Sequence, residues 1–377
     1  MQKAEVGERN TKSTKSTEGR PNPESKIQNP KSKIRSAVGC KLLAVSLLVF
    51  SAAHAQRIIR AEPRVVTSFG VRLVYDDNPF RYSSEDIDSF VARVNPAKFP
   101  IRSADDLDLN LSAELGMRYA LSGRPGRVGL DMRLHAYASN WEKSYGLARL
   151  DLRQNLWTGG EVSAGALTMP GYLVRYYRNP SGTNYIACRF AEYLARAGLA
   201  QKVGGFAFRP EYGYEVDDYI RQFDCYDTKA HRLGGEVSFS PGPALVVAAE
   251  YAFKTAKAAG PVPDISYDQH GISGRVRTSP SGMRDFSLEG GYGVEYRTYT
   301  TANPPSVDPS HAGRFDRIEN MNVGASYRLG QVRLELAYER EWRYVASPYE
   351  QEIEDVKRYQ ENRLGFGVRY DGSRSVR

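Results

Sequence analysis

Arg363-Leu364-Gly365-Phe366-Gly367-Val368-Arg369-Tyr370, close to the C-terminus, is apolar at every second position with only Arg or Gly between. Successive strand side chains point to opposite faces, so the segment reads as a strand with one greasy face and one small or cationic face. The same alternation recurs about fourteen times along the 377 residues. Its clearest instance is 104–121. There Leu107, Leu109, Leu111, Ala113, Leu115, Met117, Tyr119 and Leu121 alternate with Asp108, Asn110, Ser112, Glu114, Gly116, Arg118 and Ala120. A soluble sandwich core is about 10 Å thick and is crossed by fewer residues than that.

The alternation predicts strands at 65–76, 104–121, 127–139, 145–157, 161–177, 186–202, 205–217, 228–240, 243–255, 268–278, 284–299, 315–329, 331–345 and 357–370. Met169-Pro170-Gly171 interrupts the fifth, where Pro cannot donate to the ladder and a bulge is expected. Connections alternate between short turns rich in Gly or Pro, such as 122–126, 158–160 and 203–204, and longer polar stretches, such as 77–103, 218–227, 256–267, 300–314 and 346–356. Short turns on one side and long loops on the other describe an all-β, antiparallel, up-and-down transmembrane barrel of about 14 strands. Closure is what lets a sheet sit in lipid without unpaired edge groups. With an even strand count both termini lie at the short-turn end, expected to be periplasmic.

The long apolar run is Leu42 to Ala53, preceded by Lys31, Lys33, Arg35 and Lys41 and followed by Ala53-His54-Ala55. A basic segment, a short apolar core and an Ala-x-Ala site predict a signal peptide over 33–55, cleaved after Ala55. Residues 1–32 then read as a disordered or mis-started leader, and 56–377 as the barrel of a bacterial outer membrane. The formal charge of +8 belongs mostly to the leader: residues 1–55 hold 10 Lys/Arg against 4 Asp/Glu, leaving 42 against 40, or +2, for the mature part. With signs interspersed and no basic run, nucleic-acid binding loses its support.

By parity the lumen face carries Arg72, Glu114, Arg118, Asp131, Arg133, Arg149, Asp151, Arg153, Arg209, Glu211, Glu250, Arg275, Glu289, Glu295, Arg333 and Glu335. A mixed lining of this kind suits a hydrated channel for a small solute or saccharide; a lumen cross-linked by ion pairs or plugged by 77–103 is the alternative. Strand-end aromatics, among them Tyr75, Tyr137, Trp141, Tyr172, Tyr176, Tyr177, Tyr296, Tyr299, Trp342 and Tyr344, predict girdles at the membrane interfaces. Cys188 and Cys225 both fall near the long-loop rim of an exported chain, where they read either as a disulfide or as two free, buried thiols.

The segment Tyr75-Asp76-Asp77-Asn78-Pro79-Phe80-Arg81, leaving the first strand, resembles the opening of outer-membrane β-barrel porins of Gram-negative bacteria. The resemblance implies a pore-like class and names no substrate. Several such barrels accompany exopolysaccharide export genes, which implies a non-conducting export-partner barrel as the other reading. The C-terminal alternation ending on Tyr370 resembles the assembly signal of outer-membrane barrels, and implies outer-membrane lipid, lipopolysaccharide and the barrel-assembly machinery as partners. Asp76, Asp77 and Asn78 offer oxygens of the kind that hold Ca²⁺, but Asn-Pro is foremost a turn signal, and no cofactor is expected. Asp268 and His270, with Asp86/Asp88 or Asp105/Asp106, faintly resemble the omptin protease arrangement. No Gly-x-Ser-x-Gly, phosphate loop or zinc spacing accompanies them, so the chain does not read as an enzyme.

Overall fold

Fourteen antiparallel strands pair in sequence order, and the last returns to the first, closing a barrel. The computed structural model describes residues 64–179, 182–280 and 282–375; the expected leader and signal peptide lie outside them. The strands are β1 Arg64–Asp76, β2 Asp106–Leu121, β3 Arg124–Tyr137, β4 Tyr145–Trp157, β5 Gly160–Arg178, β6 Tyr185–Val203 and β7 Phe206–Tyr219. They continue as β8 Thr228–Gly242, β9 Leu245–Ala258, β10 Tyr267–Thr278, β11 Phe286–Tyr299, β12 Phe315–Leu329, β13 Val332–Ala346 and β14 Tyr359–Ser375. β4 and β12 match the sequence reading end to end. β14 differs at both ends: it starts at Tyr359 and runs past Tyr370 to Ser375, where it meets Arg64. The alternation fades after Tyr370 because the next position of the apolar parity is Gly372.

The outer face is apolar and uncovered. Phe366 is 57% exposed, Leu115 53% and Leu233 61%, and large exposed apolar side chains recur on every strand but β5. A belt of that size on a water-soluble protein would be an association hazard; on a closed barrel it is the lipid-facing surface. Register fixes the parity. Leu111 lies opposite Val71 on β1 and Leu134 on β3, whereas Ser112 lies opposite Gly70 and Arg133. Leu111→Arg should therefore cost roughly 2–4 kcal/mol in a lipid-vesicle folding titration, and Ser112→Arg little. Equal effects at the two positions would mean that the register of β2 is wrong.

The expected bulge in β5 is present. Gly171 has φ +69°, and the pairing with β6 skips between Met169 and Tyr172 and again between Leu173 and Arg175. The skips set Tyr172, Arg175 and Tyr177 opposite Phe190, Cys188 and Ile186.

Two short helices lie in the long loops. α1 (Ser84–Val91) follows β1, capped by Ser83, whose Oγ accepts the amide of Asp86 at 3.1 Å. α2 (Gln351–Lys357) joins β13 to β14, and the two helices touch. The 77–103 stretch, read as one polar connection, thus holds a helix and a buried cluster. Phe80, Tyr82 and Phe99 pack with Leu173 of β5, backed by Ile87 and Phe90.

Candidate functional site: a charged lumen under a folded-in loop

The loop after β1 is held from both sides of the barrel. Asp77 accepts the backbone N–H and the side-chain amide of Asn362 on β14, each at 2.6 Å. Asn78 Oδ1 takes the Tyr82 amide at 2.8 Å, and its Nδ2 donates to the carbonyls of Tyr82 and Gln360. Asp76 Oδ1 takes the Asn78 amide at 3.0 Å. Both Asp77 oxygens, Asn78 Oδ1 and one oxygen of Asp76 are thus engaged in fixing the turn and seating it on β14. Arg81 then reaches Glu361 of β14 at 2.9 Å and Glu341 of β13 at 3.2 Å. Its own carbonyl accepts Nη2 of Arg175 on β5 at 2.5 Å, six strands round the wall from β13. One residue therefore ties the loop across the lumen.

Two lysines complete the stopper, Lys143 buried and Lys357 half-buried. Lys143, between β3 and β4, donates to the carbonyls of Leu173 and Val174 at 2.6 and 3.2 Å and to Tyr172 Oη at 3.2 Å. It also sits 4.3 Å from the Tyr172 ring centroid and 5.4 Å from that of Phe80. Lys357 of α2 reaches Tyr177 Oη at 2.9 Å and lies over its ring. Burial pushes both ammonium pKa values down, against the pull of the neighbouring phenols. Next to them the 300–314 loop is anchored by Asp308, whose carboxylate contacts His311 Nδ1 at 2.8 Å and accepts the Asp264 amide at 2.9 Å. Burial, the largest influence, holds the His311 imidazole below its ordinary pKa despite Asp308. The loop ends on Arg314, which donates to Asp316 at 2.9 and 3.0 Å, and Asp316 also takes Arg343.

The tyrosines beneath this layer correct the girdle expectation. Tyr137, Tyr172, Tyr177 and Tyr299 share parity with lumen residues and turn inward, joined by Tyr267 and Tyr359. Arginines and lysines lie over their rings: Arg297 is 4.2 Å from the Tyr267 centroid and Arg314 4.6 Å from that of Tyr299. Tyr75, Trp141, Tyr296 and Tyr344 stay exposed. The inward ring is the collar onto which the loops dock.

Toward the short-turn end the lumen is wetter and richly paired. Arg72 meets Glu335 at 2.7 Å, and Glu114 takes Arg127 and, at 2.7 Å, Arg369. Asp131 takes Arg133 at 3.1 Å, and Asp151 takes Arg149 at 2.8 Å together with Arg196. Glu211 lies 3.5 Å from Arg196, and Glu236 bridges Arg209 and, at 3.0 Å, Arg275. Glu250 meets Arg232 at 3.0 Å, Glu289 meets Arg277 at 2.6 Å, and Arg333 meets Asp371 at 3.0 Å. Glu295 accepts Gln269 Nε2 at 2.9 Å. Among the described residues Arg118 and Arg153 have no carboxylate partner. Two spaces, of about 560 Å³ beside Arg72 and Arg333 and about 490 Å³ beside Lys202 and Arg209, lie in this half.

Two residue sets singled out from the sequence do not come together as a site. Cys188 and Cys225 are free thiols, the first buried opposite Arg175 and the second half-buried against the backbone of Gly260, so the disulfide is not formed. Cys188 faces inward from a strand while Cys225 is fixed in a helical turn (Arg221–Tyr226), so neither has the loop freedom that bonding geometry asks for. Asp268 and His270 share parity with the exposed Ile272 and face outward, and His270 Nδ1 contacts Tyr251 Oη at 2.8 Å. The carboxylates around the first loop are engaged elsewhere: Asp86 with Lys98 at 2.6 Å, and Asp106 with the amides of Ser139 and Asn140.

No protein-family model matches the chain, and neither does any curated protein sequence. Solved structures do resemble it. The outer membrane channel DcaP of Acinetobacter baumannii aligns at 10% identity and TM-score 0.46, over 83% of this chain and 98% of that one. OmpT, an outer membrane protein of Vibrio cholerae, aligns at 10% identity and TM-score 0.44, over 83% and 100%. OccK1 (OpdK) of Pseudomonas aeruginosa aligns at 10% identity and TM-score 0.39, over 82% and 99%. Likeness at this level carries no functional inference, and the barrel rests on the strand pairing of the chain itself.

Proposed function

We propose that the barrel is a channel of the bacterial outer membrane, for small hydrophilic solutes or saccharides, and that loops folded into one mouth hold it shut. The observation that carries the reading is the contrast along the lumen. At the long-loop end Phe80 is 2% exposed and Asp316 0%, whereas the Arg277 side chain at the other end is 58% exposed. The obstruction consists of loops and side chains, which can move, and not of strands, which cannot. Long loops are expected outside the cell and short turns in the periplasm, so the stopper sits at the external mouth. Lipopolysaccharide around the belt and the assembly machinery at β14 are the partners this placement implies. No catalysis is assigned, since Asp268 and His270 face away from the water-filled space.

A second reading keeps the barrel shut for good, as a structural or export partner whose loops bind another envelope component. The buried ion pairs at Asp316 and Glu361 favour it, because a stopper that opens readily gains little from them. The full chain in planar bilayers separates the two. Stepwise openings, brief because the loop is mostly docked, are expected; silence from protein whose barrel is folded, judged by heat-modifiable mobility, would favour the structural partner.

A further inference from the structure

Four consecutive strands place arginines directly opposite one another near the short-turn end. Arg64 on β1 is in register with Arg118 on β2, Arg118 with Arg127 on β3, and Arg127 with Arg153 on β4. All four share the parity of Glu114, which faces the lumen, and each side chain reaches water. Like charges directly opposite across a sheet destabilise it. Neighbouring strands are about 4.8 Å apart, so the row sets four guanidinium stems at roughly that spacing.

Of the nearby acids only Glu114 answers the row, and only at Arg127. Asp131 is taken by Arg133, Asp151 by Arg149 and Arg196, and Glu114 by Arg127 and Arg369. Arg64, Arg118 and Arg153 are left without a carboxylate among the described residues. The same barrel shows how such a row is otherwise compensated. Arg328, Arg333 and Arg369 also stand in register, across β12 to β14, and there Asp371 accepts from Arg333 at 3.0 Å and from Arg369 at 3.1 Å. In the first row one acid, Glu114, meets one arginine of the four, where Asp371 meets two of three. We infer that Arg64, Arg118, Arg127 and Arg153 form a binding track for an oligoanion, a ligand with several phosphate or carboxylate groups repeating at about the strand spacing. Guanidinium forks bind both groups through paired N–H donors, and the track lies on the lumen wall where a solute, and not a lipid, meets it.

The test is titration calorimetry of the full chain folded in detergent, at low ionic strength, with inorganic tripolyphosphate and separately with trigalacturonate. At least one should bind, and more weakly as salt is added. Arg118→Gln with Arg153→Gln should weaken that binding by about tenfold or more, while Arg340→Gln, on the outer face, leaves it unchanged. Tighter binding of tripolyphosphate assigns a phosphorylated ligand, and tighter binding of trigalacturonate a carboxylated saccharide. Thermal unfolding separates a binding role from a structural one. Without anion the double variant should melt no lower than the parent, and the bound anion should raise the midpoint of the parent alone. Failure of both probes to bind, or binding indifferent to the double substitution, overturns the track. Because the titration needs no conduction, silent bilayers would overturn the channel reading and leave this result standing.

Discussion

Asp316→Ala should lower the stability of the folded barrel by about 3–5 kcal/mol, the usual cost of removing one partner from a buried ion pair. Asp316 is fully enclosed and serves two arginines at once, with Tyr299 Oη donating to it at 3.3 Å. Without it Arg314 and Arg343 would share a dry site with no anion between them, and Arg314 anchors the 300–314 loop. Asp316→Asn keeps the shape and loses the charge, so it should fall between wild type and Ala. Urea unfolding in lipid vesicles gives the number, and hydrogen exchange of the 300–314 amides shows whether the loop undocks. A loss below about 0.5 kcal/mol, the range of ordinary surface substitutions, would mean that the cluster does not hold the loop.

Replacing residues 84–98 by a short Gly-Ser bridge should turn brief openings into a long-lived pore of at least about tenfold higher time-averaged conductance. A tenfold shift needs only about 1.4 kcal/mol in the docking equilibrium. The excision removes far more: α1, the Lys98–Asp86 pair at 2.6 Å, and the Ile87 and Phe90 side chains that back Phe80 and Tyr82. β1 and β2 stay intact because the cut lies outside both and their thirteen registered pairs. Planar-bilayer recording with unchanged heat-modifiability is the measurement. Unaltered conductance in a folded variant would show that this loop is not the gate.

The barrel was legible because its signal is local: a period of two, repeated, with turn chemistry between repeats. The parity of β2 follows from Leu107 to Leu121 alone. The stopper was not legible, because nothing within 77–103 says that Arg81 meets Glu341 and Glu361, which lie more than 250 residues away. Polar composition marks a loop but not whether it folds out or in. The inward tyrosines were misplaced by reading position along the strand without parity. Tyr137 shares the parity of Arg133 and His135, and Tyr299 that of Arg297, which would have turned both inward. The same check on Ile272 would have sent His270 outward. The arginine row needed cross-strand register as well as parity, and Arg64 lies just before the first strand expected from sequence.

The closing seam has a consequence for the order of events as the chain folds. β1 and β14 meet along thirteen uninterrupted rungs, from Arg64 opposite Ser375 to Asp76 opposite Arg363. Every other hairpin joins neighbours in sequence, but this pair brings together segments about 300 residues apart, a length-dependent closure entropy of roughly 5 kcal/mol. Contacts of such separation form late, since their cost falls due before any rung rewards it. Until then the chain is a curved ribbon with two raw edges, each able to template a neighbour. Gly365 and Gly367 give the seam its tight fit, since a methyl at either would come within 3.2–3.3 Å of the Arg72 side chain. The first and last strands thus act as the clasp of a bracelet, and the time spent unclasped is when the molecule is most exposed to aggregation.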